Sequence, residues 1–394
     1  MIPLTFREIA SRMGIGDYPE EFDAIYLQNP ALPITRQMLT VWQEEYDLFG
    51  SFFDAVLRGF ADLQEKPAEL AWTATVCRYL QTANRTQARA FSLPEADGTC
   101  SRDMIPLFLL LSLVDRSVEE YARRGFSREE ILQLMGVFQG DFRSNIRHCG
   151  RPGVNKSYYD WTVLFMYCVL LPCRGFKFDI RKNPKFTTLL RNVLTGERVV
   201  LVHDTMLHKS GHRLGTAGCT DEDGAFLASF TKTDTHWLGY PADKKGLVQP
   251  KQQAFSKDQW QIVAKPGDDV LGIHIPRGAD IRPEAVRYAI SGVLEHMQTY
   301  YPEYDIKAIH CASWMLNPEF GEMVGAQSKL AVFSDLFTRY PSVSNGKAVF
   351  GFVFEKGSNP DLATLPENTS LQRIIKQRYL QGGYVHVFGG YIAI

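Results

Sequence analysis

Two kinds of hydrophobic spacing divide this chain. Up to about residue 155 apolar side chains recur at steps of three and four, as in Met38, Val41, Trp42, Tyr46, Phe49, Phe52, Phe53, Val56, Leu57 and Phe60. That spacing predicts a helix over 38–60 with one buried stripe. Further helices are expected over 68–82, 104–124 and 127–140, the last opened by Ser127 and Glu130 in a capping-box arrangement. No repeat of fixed period accompanies them, which argues against a helical solenoid.

Past residue 170 the runs become short and rich in β-branched and aromatic residues, at 175–180, 198–203, 225–230, 260–264 and 270–275. Gly, Pro and Asp-Gly turns separate them, so they read as an antiparallel meander. From residue 280 helices at 280–301, 328–340 and 370–380 alternate with strands at 306–316, 348–355 and 384–388. The expected fold class is α+β. A helical domain over 1–155 precedes a mixed α/β domain over 156–394 with a central, mostly antiparallel sheet, the boundary lying within 150–160.

Composition changes this picture little. At 394 residues, 45% hydrophobic and 22% charged, the chain is a globular protein long enough for two cores. A net charge of -1, with no basic stripe, gives no electrostatic case for nucleic acid. The apolar runs 104–114 and 164–171 are too short to span a bilayer, so no membrane partner is expected. The N-terminus lacks the basic and apolar segments of a secretory signal, and the expected location is the cytoplasm. Seven cysteines without a CxxC or zinc-like spacing read as free thiols.

Candidate chemistry concentrates between Asp269 and Tyr301. In the run Val270-Leu271-Gly272-Ile273-His274-Ile275, side-chain alternation puts Leu271, Ile273 and Ile275 on one face and Val270, Gly272 and His274 on the other. The turn Arg277-Gly278-Ala279-Asp280 leads into a helix with Asp280 as its expected cap and Pro283 in its first turn. The N–H groups of such a helix end suit a phosphate. Gly278 permits close backbone approach and Arg277 adds a planar donor, whereas Asp280 would repel an anion it faced.

The phrase Pro266-Gly267-Asp268-Asp269-Val270-Leu271, followed by His274-Ile275-Pro276, resembles the GNAT-like C-terminal domain of a bacterial acyltransferase family. That family carries a separate helical N-acyltransferase N-terminal domain. Cys311-Ala312-Ser313-Trp314-Met315-Leu316-Asn317-Pro318, then Ser328, Phe333, Phe337 and the Gly382-Gly383 pair, extend the resemblance. It implies acyl transfer from an acyl-CoA co-substrate to a small-molecule amine acceptor by direct attack on the thioester. It also implies a central strand that splays from its neighbour, with Gly272, Ile273 and Ile275 along the pantetheine and Arg277, Gly278, Ala279 and Ile281 at the pyrophosphate.

On this reading His274 is the expected base, against a structural histidine that locks the strand. Cys311 and Ser313 share a face of the next strand. The cysteine is a candidate acyl acceptor or a buried small hydrophobe, the serine a thioester ligand or the group that protonates the departing thiolate. Tyr340 and Ser334 are expected on the helix where such enzymes place a general acid. His203, Asp204, His208 and His212 have metal-ligand chemistry but no metal-site spacing, so no metal is expected. The polar and aromatic run 233–241 reads as a hairpin tip or an acceptor-pocket wall. Two alternatives compete with the transferase: a non-catalytic GNAT-like sensor with a helical partner-binding domain, and a Cys311–His274 hydrolase.

Overall fold

The computed structural model describes residues 4–394, with the backbone alone at His148. The chain divides into two units, Met1–Leu171 and Pro172–Ile394. The first is helical: α1 (Phe6–Arg12), α2 (Glu21–Tyr26), α3 (Arg36–Tyr46), α4 (Phe53–Gln64), α5 (Pro67–Leu80), α6 (Cys100–Leu111), α7 (Val114–Arg123), α8 (Arg128–Met135), α9 (Val137–Cys149) and α10 (Lys156–Met166). It runs past the expected boundary at 155 because α10 packs on α6, α7 and α9. Trp72, Phe108, Tyr121, Phe142 and Tyr159 fill its core.

Two long helices expected from the pattern are each broken. Asp47 takes a left-handed conformation (φ 46°) and Gly50 another (φ 52°), so 38–60 becomes α3, a short 3-10 turn and α4. The expected 104–124 helix divides at Ser112–Leu113 into α6 and α7. Apolar periodicity survives such breaks, because each segment still turns its stripe inward. The Ser127–Glu130 capping box forms.

The second unit holds fourteen strands in chain order, of which β1 (Leu170–Cys173) begins at the junction. The others are β2 (Phe176–Lys182), β3 (Thr187–Asn192), β4 (Arg198–Val202), β5 (Thr205–Leu207), β6 (Phe226–Ala228), β7 (Thr231–Lys232), β8 (His236–Pro241), β9 (Gln253–Ser256), β10 (Trp260–Ala264), β11 (Asp269–His274), β12 (Ala308–Ser313), β13 (Thr338–Pro341) and β14 (Phe388–Ala393). One sheet has the order β1-β2-β11-β12-β14-β13, and a second β10-β3-β4-β8-β7 with β9 on β8. Within the first sheet β11 and β12 are parallel, while β2 pairs antiparallel to β11, and β14 antiparallel to both β12 and β13. Leu189, Val200 and Val202 of the second sheet share a core with Val270, Ala308, Tyr340 and Tyr391 of the first.

Helices α11 (Pro283–Tyr300), α12 (Phe320–Val324), α13 (Lys329–Ser334), α14 (Ala348–Phe354) and α15 (Ser370–Leu380) complete the unit. Three expectations are corrected here. The run 348–355 is helical rather than extended: Val349, Phe350 and Phe354 are buried with Val353 packed beside them, while Phe352 is 69% exposed. A short apolar run cannot be told from a buried helix by hydrophobicity alone. The helix expected over 328–340 ends at Ser334, and Thr338–Pro341 instead forms β13, whose place at the sheet edge tolerates Pro341. The last strand is Phe388–Ala393 rather than 384–388.

Candidate functional site

The parallel pair β11 and β12 is joined only at its N-terminal end. Lys307 N–H donates to the Asp269 carbonyl at 2.9 Å, and Leu271 and Gly272 lie in register with Ile309 and His310. Further on, Ile273 and His274 remain paired to Phe178 and Lys177 of β2. Cys311, Ala312 and Ser313 remain paired to Gly390, Gly389 and Phe388 of β14. Between β11 and β12 themselves the ladder stops at Gly272 and His310. The sheet thus parts at the C-terminal ends of its two parallel strands, beside Ile273 and His274.

His274 stands at this opening, 30% exposed through its side chain. Its Nε2 lies 2.7 Å from Asp179 Oδ1 and 2.9 Å from a terminal nitrogen of Arg181. Arg181 Nε also donates to Asp179 Oδ2 at 2.8 Å. Antiparallel register explains the meeting, since Asp179 opposes Gly272 and Lys177 opposes His274, putting all of them on one face. Gly272 makes room for it. A Cβ there would overlap Arg181 Nε and Asp179 Oδ1.

Burial alone would raise the Asp179 carboxyl, but the His274 hydrogen bond and the Arg181 guanidinium outweigh it and hold Asp179 at about 2. The Asp179 carboxylate can accept from His274 Nε2–H, the tautomer with the imidazole lone pair on Nδ1, whereas the Arg181 guanidinium, a donor only, is served by the lone pair on Nε2. Neither Asp179 nor Arg181 was singled out from the sequence. The available signal was an acid inside the strand Phe176-Lys177-Phe178-Asp179-Ile180, which is buried at Phe176, Phe178 and Ile180.

Beyond His274 the chain turns through Pro276, whose carbonyl accepts from Ala279 N–H at 3.1 Å, and Gly278 takes φ +80°. Ile275, Ala279 and Ile281 are half-buried along this path. Arg277 is ion-paired with Glu355. Asp280 is not the helix cap, a correction: Arg282 occupies that place without a side-chain cap bond, and Pro283 opens α11. Asp280 instead accepts from the Arg282 backbone N–H at 3.1 Å and from its guanidinium, whose hydrogen bonds keep the carboxyl at about 2. A shallow cavity of about 310 Å³ with Lys347 and Lys356 in its wall lies in the segment that also carries Glu355.

The residues proposed on β12 and β13 are not brought to His274. Cys311 shares its face with Leu271 and Ile309, opposite the face of Gly272, His274 and His310. It is 1% exposed, and burial pushes its thiol up to about 12. Its role as an acyl acceptor, and the Cys311–His274 hydrolase, are therefore corrected, because a buried neutral thiol across the sheet from the imidazole has no base. Ser313 accepts from Met315 N–H at 3.2 Å and caps a 3-10 turn.

Tyr340 lies on β13, fully buried, with its hydroxyl 2.7 Å from His310 Nε2. Burial raises its phenol well above the usual range and lowers His310 to about 3, so both are neutral. Ser334 accepts from Arg339 at 2.7 Å. His203 binds Thr188 and Asp204, whereas His208 binds Ser210 and Asp221. Among the described residues no group of three or more His, Cys, Asp or Glu side chains is placed to hold a metal ion. The run 233–241 forms the turn and the second strand of the β7–β8 hairpin.

Comparison with known proteins agrees with this architecture. Residues 206–392 match the GNAT-like C-terminal domain. An acyltransferase mutant solved in complex with octanoyl-CoA is similar over 99% of this chain and 100% of its own, at 15% identity and a TM-score of 0.64. An acyltransferase in complex with decanoyl-CoA and teicoplanin is similar over 99% of both chains, at 14% identity and 0.64. An acyltransferase in complex with decanoyl-CoA alone has a TM-score of 0.65 at 13% identity over 99% of this chain and 100% of its own. The fold, a helical N-terminal region followed by a GNAT-like domain, is that of these acyltransferases. No curated protein matches the sequence.

Proposed function

We propose that the chain is an acyl-CoA-dependent N-acyltransferase that moves an acyl group from a coenzyme A thioester to an amine. The parting of β11 from β12 beyond Gly272 and His310 carries this reading. An acyl-pantetheine laid into that gap would run alongside Ile273 to Ile275, with its thioester beside His274. The similar solved acyltransferases are complexes with acyl-CoA or coenzyme A and, in two cases, with teicoplanin or 10C-teicoplanin. These complexes support the co-substrate class. Residues 4–155, with α10, would then constitute the family's helical N-acyltransferase domain.

His274 takes a proton from the acceptor ammonium through Nδ1, while Asp179 fixes the ring through Nε2 and stabilises the imidazolium that forms. The freed amine attacks the thioester carbonyl and the carbon–sulfur bond breaks. The proton that the attacking nitrogen loses passes to the departing thiolate. The pyrophosphate would be held by the N–H groups at the start of α11 and the open turn at Gly278, with Arg277 released from Glu355 to reach it. Lys347 and Lys356 add positive charge to the cavity wall beside Glu355.

Isothermal titration with acetyl-, octanoyl- and free coenzyme A tests the reading. Binding of the acyl forms, with thiol release on addition of an amine panel, is the expected result. Heat without thiol release across the panel would instead identify a sensor, and no heat with any of them would remove the co-substrate altogether.

A further inference from the structure

A second constellation lies outside the strand opening, on the loop that joins β5 to β6. Ser210 Oγ is 2.7 Å from His208 Nδ1, and His208 Nε2 is 3.0 Å from Asp221 Oδ2. The Ser210 backbone N–H also donates to His208 Nδ1 at 3.1 Å. The backbone N–H donated to Nδ1 fixes the tautomer, so the lone pair faces the serine and Nε2–H faces the aspartate. That protonation is the one a general base needs. The two ring nitrogens are simply exchanged relative to the usual serine, histidine and aspartate order, a constellation recognised by geometry rather than by position in sequence.

The surroundings hold this arrangement in place. His208 N–H donates to the His212 carbonyl and Gly211 N–H to the His208 carbonyl, each at 2.8 Å, closing the turn. Gly211 has φ +86° and lies against the Val248 backbone with no room for a Cβ. His208 is 6% exposed, whereas Ser210 is open to solvent. The hydrogen bond from His208, and then Lys209, lower Asp221 below its usual range, so it stays ionised. Lys209 also pairs with Asp223 at 2.9 Å. His212 Nδ1 at 3.1 Å and Cys219 Sγ at 3.4 Å complete the surroundings of Ser210 Oγ. Burial, with His386 beside it, lowers His212 to about 4, so no second imidazolium competes at this oxygen.

We propose that Ser210, His208 and Asp221 form a second catalytic centre, a serine acyl-hydrolase site for activated acyl esters and thioesters. Ser210 Oγ attacks the carbonyl carbon as its proton passes to His208 Nδ1, and the carbonyl π pair moves onto oxygen. Collapse breaks the bond to the alkoxide or thiolate, which takes the proton from His208, leaving an acyl-serine. Water, deprotonated by the same nitrogen, then releases the carboxylic acid and restores Ser210. His212 packs on Phe388, the β14 residue paired with Ser313. The centre therefore lies towards the end of the sheet at which β11 and β12 part.

A fluorophosphonate probe and p-nitrophenyl butyrate and octanoate test the site on the full chain, without coenzyme A or amine, so the outcome is independent of the transfer reaction. The expected result is a probe adduct on the peptide containing Ser210. Ser210→Ala, confirmed as folded by an unchanged melting temperature, is expected to lose both adduct and ester hydrolysis. Asp221→Asn keeps the serine but slows hydrolysis at least about tenfold. No adduct at Ser210, or ester hydrolysis by Ser210→Ala at the parent rate, would overturn the proposal. An adduct on Cys219 in its place would do the same.

Discussion

The two faces of β12 carry polar side chains to opposite effect. On one, His310 shares a layer with Gly272 and His274, and the ionised Asp179 and Arg181 lie over the glycine. On the other, Cys311 sits beside Ile309 and Leu271, wholly buried and neutral. The residues are neighbours in sequence, and one step along a strand exchanges a charged environment for an apolar one. Reactivity in this sheet is thus decided by the pleat and not by residue type. Each prediction below tries one face against the other.

The largest expected effect is at the imidazole. His274→Ala should lower kcat/KM for acyl transfer by about 10²–10⁴, the usual contribution of a positioned general base, with acyl-CoA affinity kept. Stopped thiol-release assays and titration separate the two. If turnover is unaltered, His274 is a locking residue of β11 and the base lies elsewhere.

Asp179→Asn keeps the shape of the cluster and removes its charge. The parent carboxyl is held at about 2, below its ordinary 3.8. A depressed folded pKa contributes stability above the unfolded value and loses it as pH falls towards the folded one. The parent should therefore lose on the order of 2 kcal/mol between about pH 4 and pH 2 that the variant does not lose, read as the difference between their urea unfolding curves at each pH. Coincident pH dependence would mean that the Asp179–Arg181–His274 cluster does not form in solution.

How much of this was legible in the sequence follows from the range of each interaction. The face of His274 could be read from the alternation of Val270 to Ile275, because that pattern is local. The Ser127 and Thr369 caps are likewise local. Asp179 and Arg181 could not be joined to His274, since that requires the register between β2 and β11, neighbours in the first sheet that every strand of the second sheet separates in sequence. Tyr340 was expected on a helix, and only its place beside β14 shows it bonded to His310. The same limit made 348–355 look like a strand. Its burial pattern depends on α15 and the cluster around Phe350, which no short window contains.

Smaller effects are expected from the packing of the charged face. Gly389 pairs with Ala312 and Tyr340, and a Cβ at Gly389 would overlap the Tyr340 ring. An aromatic ring fixed by His310 cannot move aside as a flexible side chain can, so Gly389→Ala should destabilise by about 1–3 kcal/mol. Tyr340→Phe removes only the hydroxyl and strands His310 Nε2, at a cost of about 1–3 kcal/mol. Thermal melts measure both. A matching fall in turnover for Tyr340→Phe, at full folding, would show that the buried pair communicates with the opening.

Cys311→Ala should have the smallest effect, and it tests the apolar face directly. With its thiol at about 12, almost no thiolate exists at neutral pH, and the side chain is 1% exposed. Iodoacetamide should therefore leave Cys311 unmodified in the folded protein and alkylate it after urea denaturation, as peptide mass analysis would record. The substitution removes one sulfur from a close-packed site, for which a loss of roughly 1 kcal/mol is expected. Turnover should stay within about twofold of the parent, since a group across the sheet from His274 contributes only packing. A collapse of activity in Cys311→Ala at unchanged melting temperature would reverse the assignment of the two faces and return the acyl-acceptor role to this thiol.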